Sequence, residues 1–595
     1  VIGFFQALHL LRVLHPEVIV SVGSYVAVPV VWAGRLRGIP SIVHQQDLVP
    51  GLSNRICAPH AHIITTSFEE SLRFFSGSKA VWTGNPVRKA IIAISHEAGL
   101  ERFRLSTKMP VLLVFGGGTG SLRINGLLDA ALDRLLRSFQ VIHITGGRTT
   151  GAGNDNPRYH RFEFLTDDMP FALAAADLVV CRAGLATLTE LGVLGKPSIV
   201  IPMPHSHQEA NASFFADHGA CMMLREGDLT AETMANAAVD LWNDPDRRTS
   251  LSEHMRTLVR PDAAERIVEL LDRIMRKRTL HDCVRDLRRI TNDIRLDEPL
   301  SRHSNFKIGG PADVFVSCTT KATLCSVLDT VHRRGIPYIV LGGGTNVVCS
   351  DAGFRGVIIN VKNRELDVDG EMVTAGAGTV TGVFVQQCHA HGLTGAEFLV
   401  GIYGTIGGAV RGNAGSFGKE MKDIVVSCEV INERGVPESW SNDQLQFAYR
   451  DSIVKHSDAV IASVTCKLSH RDMAQAKRTM AEYLSYKRAH QPISLPSAGC
   501  MFKNVTVPRD NHDLRNRFST VLRGDVIPAW ALINEAELSG KRIGGIQISE
   551  QHANFFVNVG NGTAEQIIML KSLVKQRVRD TFGVQLEEEV QFIGW

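Results

Sequence analysis

From residue 1 to about 275 the chain alternates short β-branched runs with helical stretches, and beyond about 295 that rhythm stops. The runs are VIVSV at 18, SIVH at 41, HIITT at 62, VLLVF at 111, VIHIT at 141, LVVC at 178 and SIVIP at 198. Strands that recur with helices between them predict parallel sheets covered on both faces, because a parallel crossover needs a helix-length connection. A break near Asn85 and Pro86 divides this half into two Rossmann-like lobes, residues 1–90 and 91–275. The first is short for a lobe, which usually needs roughly 100 to 150 residues. The basic stretch Arg273–Arg278 opens a stretch read as a solvated connector, 276–295. Past it, Gly-rich turns separate short strands such as ADVFV, VIINV and EMVTAG, the texture of an α+β arrangement. A chain of 595 residues exceeds the roughly 250 to 300 that one core sustains, so a multidomain α/β and α+β protein is expected.

Composition removes several function classes. With 44% hydrophobic and 21% charged residues and a net charge of +3, the chain carries no basic footprint for nucleic acid. Its eleven cysteines form no CxxC pair and no zinc-spaced cluster, so neither disulfide nor structural metal is expected, and a reduced compartment fits. The most apolar run, Val18–Gly34, is interrupted by Ser21, Gly23, Ser24 and Pro29, which reads as strand, loop and helix start, not as a membrane span.

In the second half, LGGGTN at 341–346 follows the apolar strand YIVL and has no side chains that would block a close backbone approach. Such a loop can aim several N–H groups at a pyrophosphate, although alone it reads equally as a structural turn. It has company in NFKIGGPAD at 305, AGAG at 375 and GIYGTIGGAVRGNAGSFGKE at 401. Three further segments are separated widely in sequence: YRDS at 449, PSAGCMFKN at 496 and LEEEV at 586.

In order and spacing, these segments resemble the UDP-N-acetylenolpyruvoylglucosamine reductase family, over about 285–595. The resemblance implies a vanillyl-alcohol-oxidase type FAD domain over 296–468 and an α+β substrate-binding region over 469–595. It implies FAD as cofactor, NADPH as co-substrate and UDP-N-acetylglucosamine enolpyruvate as substrate. Gly342, Gly343, Gly344, Thr345 and Asn346 would hold the FAD diphosphate, Gly407, Gly408 and Asn413 would line the flavin, and Asn554 in HANFFVN would close its site. Tyr403 stands where the family usually has Pro, and no insertion between Ser452 and Pro496 carries a substrate-capping Tyr, as in the family's shorter subclass.

The chemistry accounts for the residue types. Hydride addition to an enolpyruvyl double bond leaves carbanion character beside a carboxylate, so one group must hold negative charge and another must donate a proton. Arg450 is a planar cation matched to a carboxylate, Glu589 is a carboxyl whose pKa a neighbouring anion would raise, and Cys500 is a thiol mostly protonated at neutral pH. A lone Cys is by default a buried hydrophobe and a lone Arg a surface ion-pair partner. Lys503 and Asn504 match positions near the UDP part of the substrate, and Tyr449 would stack or hydrogen-bond in the same pocket.

The first half carries HQQDLVPGLSNR at 44, GNPVR at 84, FGGGTGSLRING at 115, CRAGLATLTE at 181 and HQEANA at 207. These resemble the two-lobed GT-B glycosyltransferase family that adds N-acetylglucosamine to lipid I. The turn Ala183–Thr187 at a helix start can offer N–H groups to a diphosphate, and Glu190 can accept from ribose hydroxyls. By resemblance Ala186, Thr187 and Glu190 hold the nucleotide, Gln208 and Asn211 the sugar, Gly118 and Thr119 line the cleft, and Arg88 sits near the diphosphate. The ligands implied are UDP-N-acetylglucosamine and, at the inner face of the membrane, lipid I, for a cytoplasmic protein with peripheral membrane contact. Gln45 and Asp47 depart from the family's HEQN, and the chain starts after the Gly-rich loop and His that open the family's first lobe, so weak UDP-sugar binding without turnover is expected. Two other readings remain open: a flavin oxidase of the same fold, and a first half that serves as a non-catalytic docking module.

Overall fold

The computed structural model describes all residues except 1, 76, 78, 119 and 148–154. The chain forms two compact units, residues 1–277 and 278–595.

The first unit holds two parallel sheets. The smaller runs in sequence order through Ile19–Ser21, Ser41–Gln45, Ile63–Thr66 and Ala80–Trp82. The larger is ordered Met222–Met223, Ser198–Val200, Leu178–Cys181, Val111–Phe115, Gln140–Ile144, Tyr159–Phe162, all parallel. Its central strand shows why the sequence reads as a continuous apolar run. Val111, Leu113 and Phe115 face one core and Leu112 and Val114 the other, so both faces are dry. Strand order reverses between Val111–Phe115 and Leu178–Cys181, which opens a crevice at their carboxyl ends. Gly116–Gly118 and the Arg182–Gly184 part of CRAG follow those two strands directly.

Besides a smaller core around Leu300, Phe315 and Ile358, the second unit has two large ones. One covers a four-stranded sheet, Ile294–Pro299, Pro311–Cys318, Phe354–Val361 and Tyr338–Leu341, and a five-stranded antiparallel sheet built around Met372–Gly376, Val460–Lys467 and Val425–Ile431. The other lies beneath the antiparallel sheet Ser497–Cys500, Phe555–Asn558, Ile546–Ile548, Arg542–Ile543 and against the helix Ala564–Phe582. That helix starts at a reciprocal Thr563/Gln566 capping box and stops at Gly583, whose φ of 66° suits glycine. The second core also draws in Phe306, Ile308 and Val348, and the strand Val347–Cys349 pairs with Gln591–Ile593. The two cores are therefore laced together across the 296–468 and 469–595 division read from the sequence.

The stretch read as a connector, 276–295, is largely helical: Ala263–Leu287 runs through it, and the boundary between the units falls inside this helix. The reason is burial, since Cys283, Val284 and Leu287 join the first core of the second unit while their neighbours Arg285 and Arg289 pair with Asp282 and Asp286. Leu287→Ala should lower the stability of residues 278–595 by about 2–5 kcal/mol, measured as faster hydrogen exchange of their core strands. Unchanged exchange would mean that the helix end is not part of that core.

Candidate functional site

A cavity of about 600 Å³ opens in the second unit where the Gly-rich loops and the catalytic candidates converge. Its walls include Gly342–Val347, Gly401–Thr405, Gly408, Arg450, Gln491–Cys500 and Glu589. The segments 449–452, 496–504 and 586–590, far apart in sequence, are thus brought to one cleft.

The glycine loop is close-packed backbone. Gly344 has φ 63°, and a Cβ there would stand 1.9 Å from the carbonyl oxygen of His303. A Cβ on Gly342 or Gly343 would press on Thr405 Oγ1 or Gly404 Cα, at 2.5 and 2.9 Å. Its carbonyls are gripped from beneath, since Asn360 Nδ2 donates to Leu341 O and Gly342 O at 3.0 and 2.9 Å. Asn346 then reaches the catalytic candidates: its Nδ2 donates to Glu589 O at 3.2 Å, and Gln591 N donates to its carbonyl at 3.0 Å.

Packed against this loop, the turn at 400–404 is fixed through three carbonyls. Lys487 Nζ donates to Val400 O at 2.8 Å, Thr381 Oγ1 donates to Ile402 O, and Thr345 Oγ1 donates to Tyr403 O at 3.1 Å. These bonds hold the turn where the family's Pro is replaced by Tyr403.

Arg450 Nε lies 2.9 Å from Glu589 Oε1, and Arg450 Nη2 donates to Gly415 O at 3.2 Å. Burial raises the Glu589 pKa, while Arg450, Lys455 and Lys503 pull it down. Cys500 ends the strand Ser497–Cys500, half-buried at the cavity wall. Burial pushes its thiol up to about 12 and the Glu589 charge adds to this, against Arg450 and the Asn554 amide. At neutral pH the thiol is protonated, which is the state an acid needs. Lys487, Arg411, Lys455 and Lys307 also line the cavity. Burial lowers the Lys487 pKa to about 8, with the Arg450 charge contributing. Glu589 is the carboxylate among the wall residues, so the cleft is electropositive and suits anionic groups.

Several expected residues stand behind the wall. Asn413 is fully buried and donates to Glu420 Oε2 and Ala448 O at 3.0 and 2.9 Å. Asn554 clamps Phe502 on both sides, donating to its carbonyl at 2.8 Å and accepting its N–H at 3.0 Å. Gly407 packs on Ala377. Asn504 Oδ1 accepts from Ala529 N at 3.1 Å, Lys503 pairs with Glu587 at 3.4 Å, and Tyr449 is exposed beside the Arg450 guanidinium. Asn413, Asn504 and Asn554 are thus tied to backbone groups, while Lys487 and Lys455, which the sequence gave no reason to single out, line the cavity itself.

In the first unit the crevice holds a second constellation. The helix Leu185–Leu194 begins at Gly184 with no side-chain cap, so its first N–H groups are open to an anion, with Ala186 and Thr187 in that turn. Glu190, its pKa raised by burial and drawn back by Arg88, lies 3.5 Å from Arg88 Nη2 across the lobes. Gly118 is open on its Cα side, Gln208 Oε1 accepts from Met203 N at 3.1 Å, and Thr119 lies outside the described residues. Asn211 is fully buried and ties the lobes, donating to Asp47 Oδ1 at 2.9 Å and accepting from Leu48 N at 3.2 Å. Gln45 is internal as well, bonded to Asp47 O, Val49 O and Asn54. Arg182 of CRAG, not singled out from sequence, is buried and donates to Ile201 O, Pro202 O and Ser121 Oγ while pairing with Glu226.

The chain matches four protein-family models: the glycosyltransferase family 28 N-terminal domain over 1–66, its C-terminal domain over 111–267, a FAD binding domain over 312–438, and the C-terminal domain of UDP-N-acetylenolpyruvoylglucosamine reductase over 491–593. It is 35% identical over 301 residues to the UDP-N-acetylenolpyruvoylglucosamine reductase of Alkaliphilus oremlandii, covering 50% of this chain and 93% of that protein. The reductase of Heliobacterium modesticaldum is 36% identical over 311 residues, 51% and 93% of the two chains. Among solved structures, that of the reductase from Thermus caldophilus is 30% identical with a TM-score of 0.41, over 50% of this chain and 99% of that one. No helix among the described residues is long and apolar enough to cross a membrane.

With its thiol held up near 12, Cys500 in protein freed of flavin should react with iodoacetamide at pH 8 at least about a hundredfold more slowly than free cysteine. Mass spectrometry of the Cys500 peptide gives the rate, and a rate near that of free cysteine would contradict the environment described.

Proposed function

The chain belongs to the UDP-N-acetylenolpyruvoylglucosamine reductase family, carried by its second half beside glycosyltransferase family 28 domains in its first, and we propose that the 600 Å³ cleft performs the NADPH-dependent, FAD-mediated reduction of UDP-N-acetylglucosamine enolpyruvate to UDP-N-acetylmuramate. The observation that carries this reading is the meeting of Arg450, Glu589 and Cys500 in one cavity with a glycine loop whose Gly342–Gly344 admit no side chain. The cleft fits the cofactor: the Gly342–Asn346 backbone suits a diphosphate, and surrounding cations complement its charge. FAD, when bound, takes hydride from NADPH and supplies it to the enolpyruvyl double bond.

The chain's own residues then manage charge and proton. Arg450 engages the substrate carboxylate, drawing the enolate charge toward its guanidinium. Glu589, with its pKa raised by burial, supports the same charge as a hydrogen-bonding carboxyl held against Arg450. Cys500 delivers its proton to the carbon beside the carboxylate, and the thiolate so formed is offset by Arg450. In this division FAD belongs to 296–468 and the sugar nucleotide to 469–595, with Lys503, Asn504 and Tyr449 shaping the substrate end. A flavin oxidase would have no use for a cation, a carboxyl and a protonated thiol together.

For the first half we infer a UDP-N-acetylglucosamine site at the Leu185 helix start with Glu190 as its ribose acceptor. Lipid I at the cytoplasmic face of the membrane is the proposed acceptor. The interlobe tie through Asn211, which takes up a residue expected to contact the sugar, favours weak binding.

Two measurements test these readings. In anaerobic stopped-flow, NADPH-reduced protein should return to the oxidised flavin spectrum on mixing with UDP-N-acetylglucosamine enolpyruvate; Cys500→Ala should keep flavin reduction and lose reoxidation by about a hundredfold or more, with Cys500→Ser intermediate. Equal loss of both half-reactions would remove the proton-donor role. In calorimetry, UDP-N-acetylglucosamine should bind the chain weakly, and Glu190→Ala should weaken it about tenfold, the effect of one hydrogen bond to a charged group. Transfer of the sugar to a lipid I analogue would exclude a purely docking first half.

A further inference from the structure

Arg450 occupies a backbone conformation that its residue type disfavours. Its φ is 58°, in the left-handed region where a Cβ crowds the backbone, and it is not a glycine. Such a conformation persists only where surrounding contacts over-determine it. Here the flanks are held: Ala448 and Asp451 exchange backbone hydrogen bonds at 3.1 and 3.2 Å, Asn413 Nδ2 donates to Ala448 O at 2.9 Å, and Ser452 Oγ donates to Arg411 O at 2.8 Å. The carbonyl of Arg450 itself is held by a different group. Lys455, on the short 3-10 turn Ile453–His456, sends its Nζ back over the turn to donate to Arg450 O.

This lysine is not a solvated surface residue. It lines the same cavity as Arg450 and Glu589, and the charges it faces are Asp451 on its own segment and Arg411, Lys503 and Glu589 from elements packed around it. Placing one more cation beside Arg411 and Lys503 is unfavourable unless the carbonyl contact and the nearby carboxylates compensate, so its place there calls for a function. Without that contact the Arg450 carbonyl would be free to swing, and rotation about the Arg450 N–Cα bond, which moves that carbonyl, would let the residue relax to the ordinary φ < 0 region. The guanidinium would then swing away from Glu589 Oε1, now 2.9 Å distant.

We propose that Lys455 is a positioning residue: its ammonium, clamped on the Arg450 carbonyl, keeps the left-handed turn that aims Arg450 at Glu589 and so into the cleft. The role in turnover rests on the reductase reading above; the role in geometry does not. Lys455→Met removes the donor, and Lys455→Arg keeps a cationic donor of similar reach.

The experiment has two arms. A crystal structure of Lys455→Met should show Arg450 at negative φ with the Arg450–Glu589 contact broken, and Lys455→Arg should retain both; an unchanged turn and contact in Lys455→Met would overturn the proposal whatever the protein catalyses. In anaerobic stopped-flow, Lys455→Met should reduce its flavin with NADPH within about threefold of the parent chain and lose tenfold or more in kcat for reoxidation by UDP-N-acetylglucosamine enolpyruvate, with Lys455→Arg recovering most of it. Reoxidation of Lys455→Met at the parent rate, or equal loss of both half-reactions, would overturn it. Failure of the unaltered chain to be reoxidised by that substrate would instead sink the reductase reading and leave the crystallographic arm to decide on Lys455. If Lys455→Met does not fold, Lys455→Gln, which keeps a shorter neutral donor, carries the same comparison.

Discussion

The cleft of the second unit depends on the backbone passing Gly344, where no side chain can be accommodated against the His303 carbonyl. That approach lets the loop run from the strand Tyr338–Leu341 in one sheet to Val347–Cys349, paired with the last strand of the chain. Because Asn346 at the end of the loop holds the Glu589 carbonyl, the expected cofactor cradle and the residue proposed as the catalytic carboxyl are parts of one hydrogen-bonded assembly. It continues through Glu589 N to Met501 O and Met501 N to Asn554 O, and so to the strand carrying Cys500. The glycine loop is thereby joined to the strand of the proposed proton donor through main-chain hydrogen bonds.

This assembly explains which parts of the site were legible in the sequence. That Gly342–Asn346, Arg450, Cys500 and Glu589 belong together was readable only from the order and spacing of the motifs that resemble the reductase family, since a lone Cys reads as core and a lone Arg as a surface partner; the fold brings all of them to one cavity. The parallel strands of the first unit were readable because both faces are buried and the runs are uniformly apolar. Asn413 and Asn554 carried the right motif, but an amide can serve a ligand or a neighbouring carbonyl equally well, and only the fold shows that these two bind Ala448 and Phe502. Lys487 was invisible for a related reason. Lysine at a helix end usually points to water, and nothing in YKRAHQP reveals that the 401–404 turn folds over this one.

Polar side chains tied to main-chain carbonyls recur through both units. In the first, Asn211 and Asp47 join the lobes, and Arg182 draws Ile201 O and Pro202 O to Ser121 at the mouth of the Gly116–Gly120 loop. The HQQD departure becomes intelligible in these terms: Gln45 and Asp47 are built into the loop and the lobe junction. An aspartate at 47 gives Asn211 a charged acceptor, and hydrogen bonds to charged groups are the stronger class.

The electrostatics of the reductase cleft bear on the use of cysteine as the acid. Burial, with the Glu589 charge behind it, pushes the thiol well above its ordinary range, which by itself weakens it as a proton donor. The penalty falls on the thiolate left after transfer, and that species forms at the moment when negative charge leaves the substrate carbon. In the proposed step Arg450, in contact with Glu589 and acting on Cys500, would attract the enolate before transfer and the thiolate after it. One fixed cation thus faces negative charge on both sides of the step, with little reorganisation required between them. In the proposed chemistry the orientation of Arg450 would then be the quantity to hold, and the left-handed turn at 450 is the backbone feature that would set it.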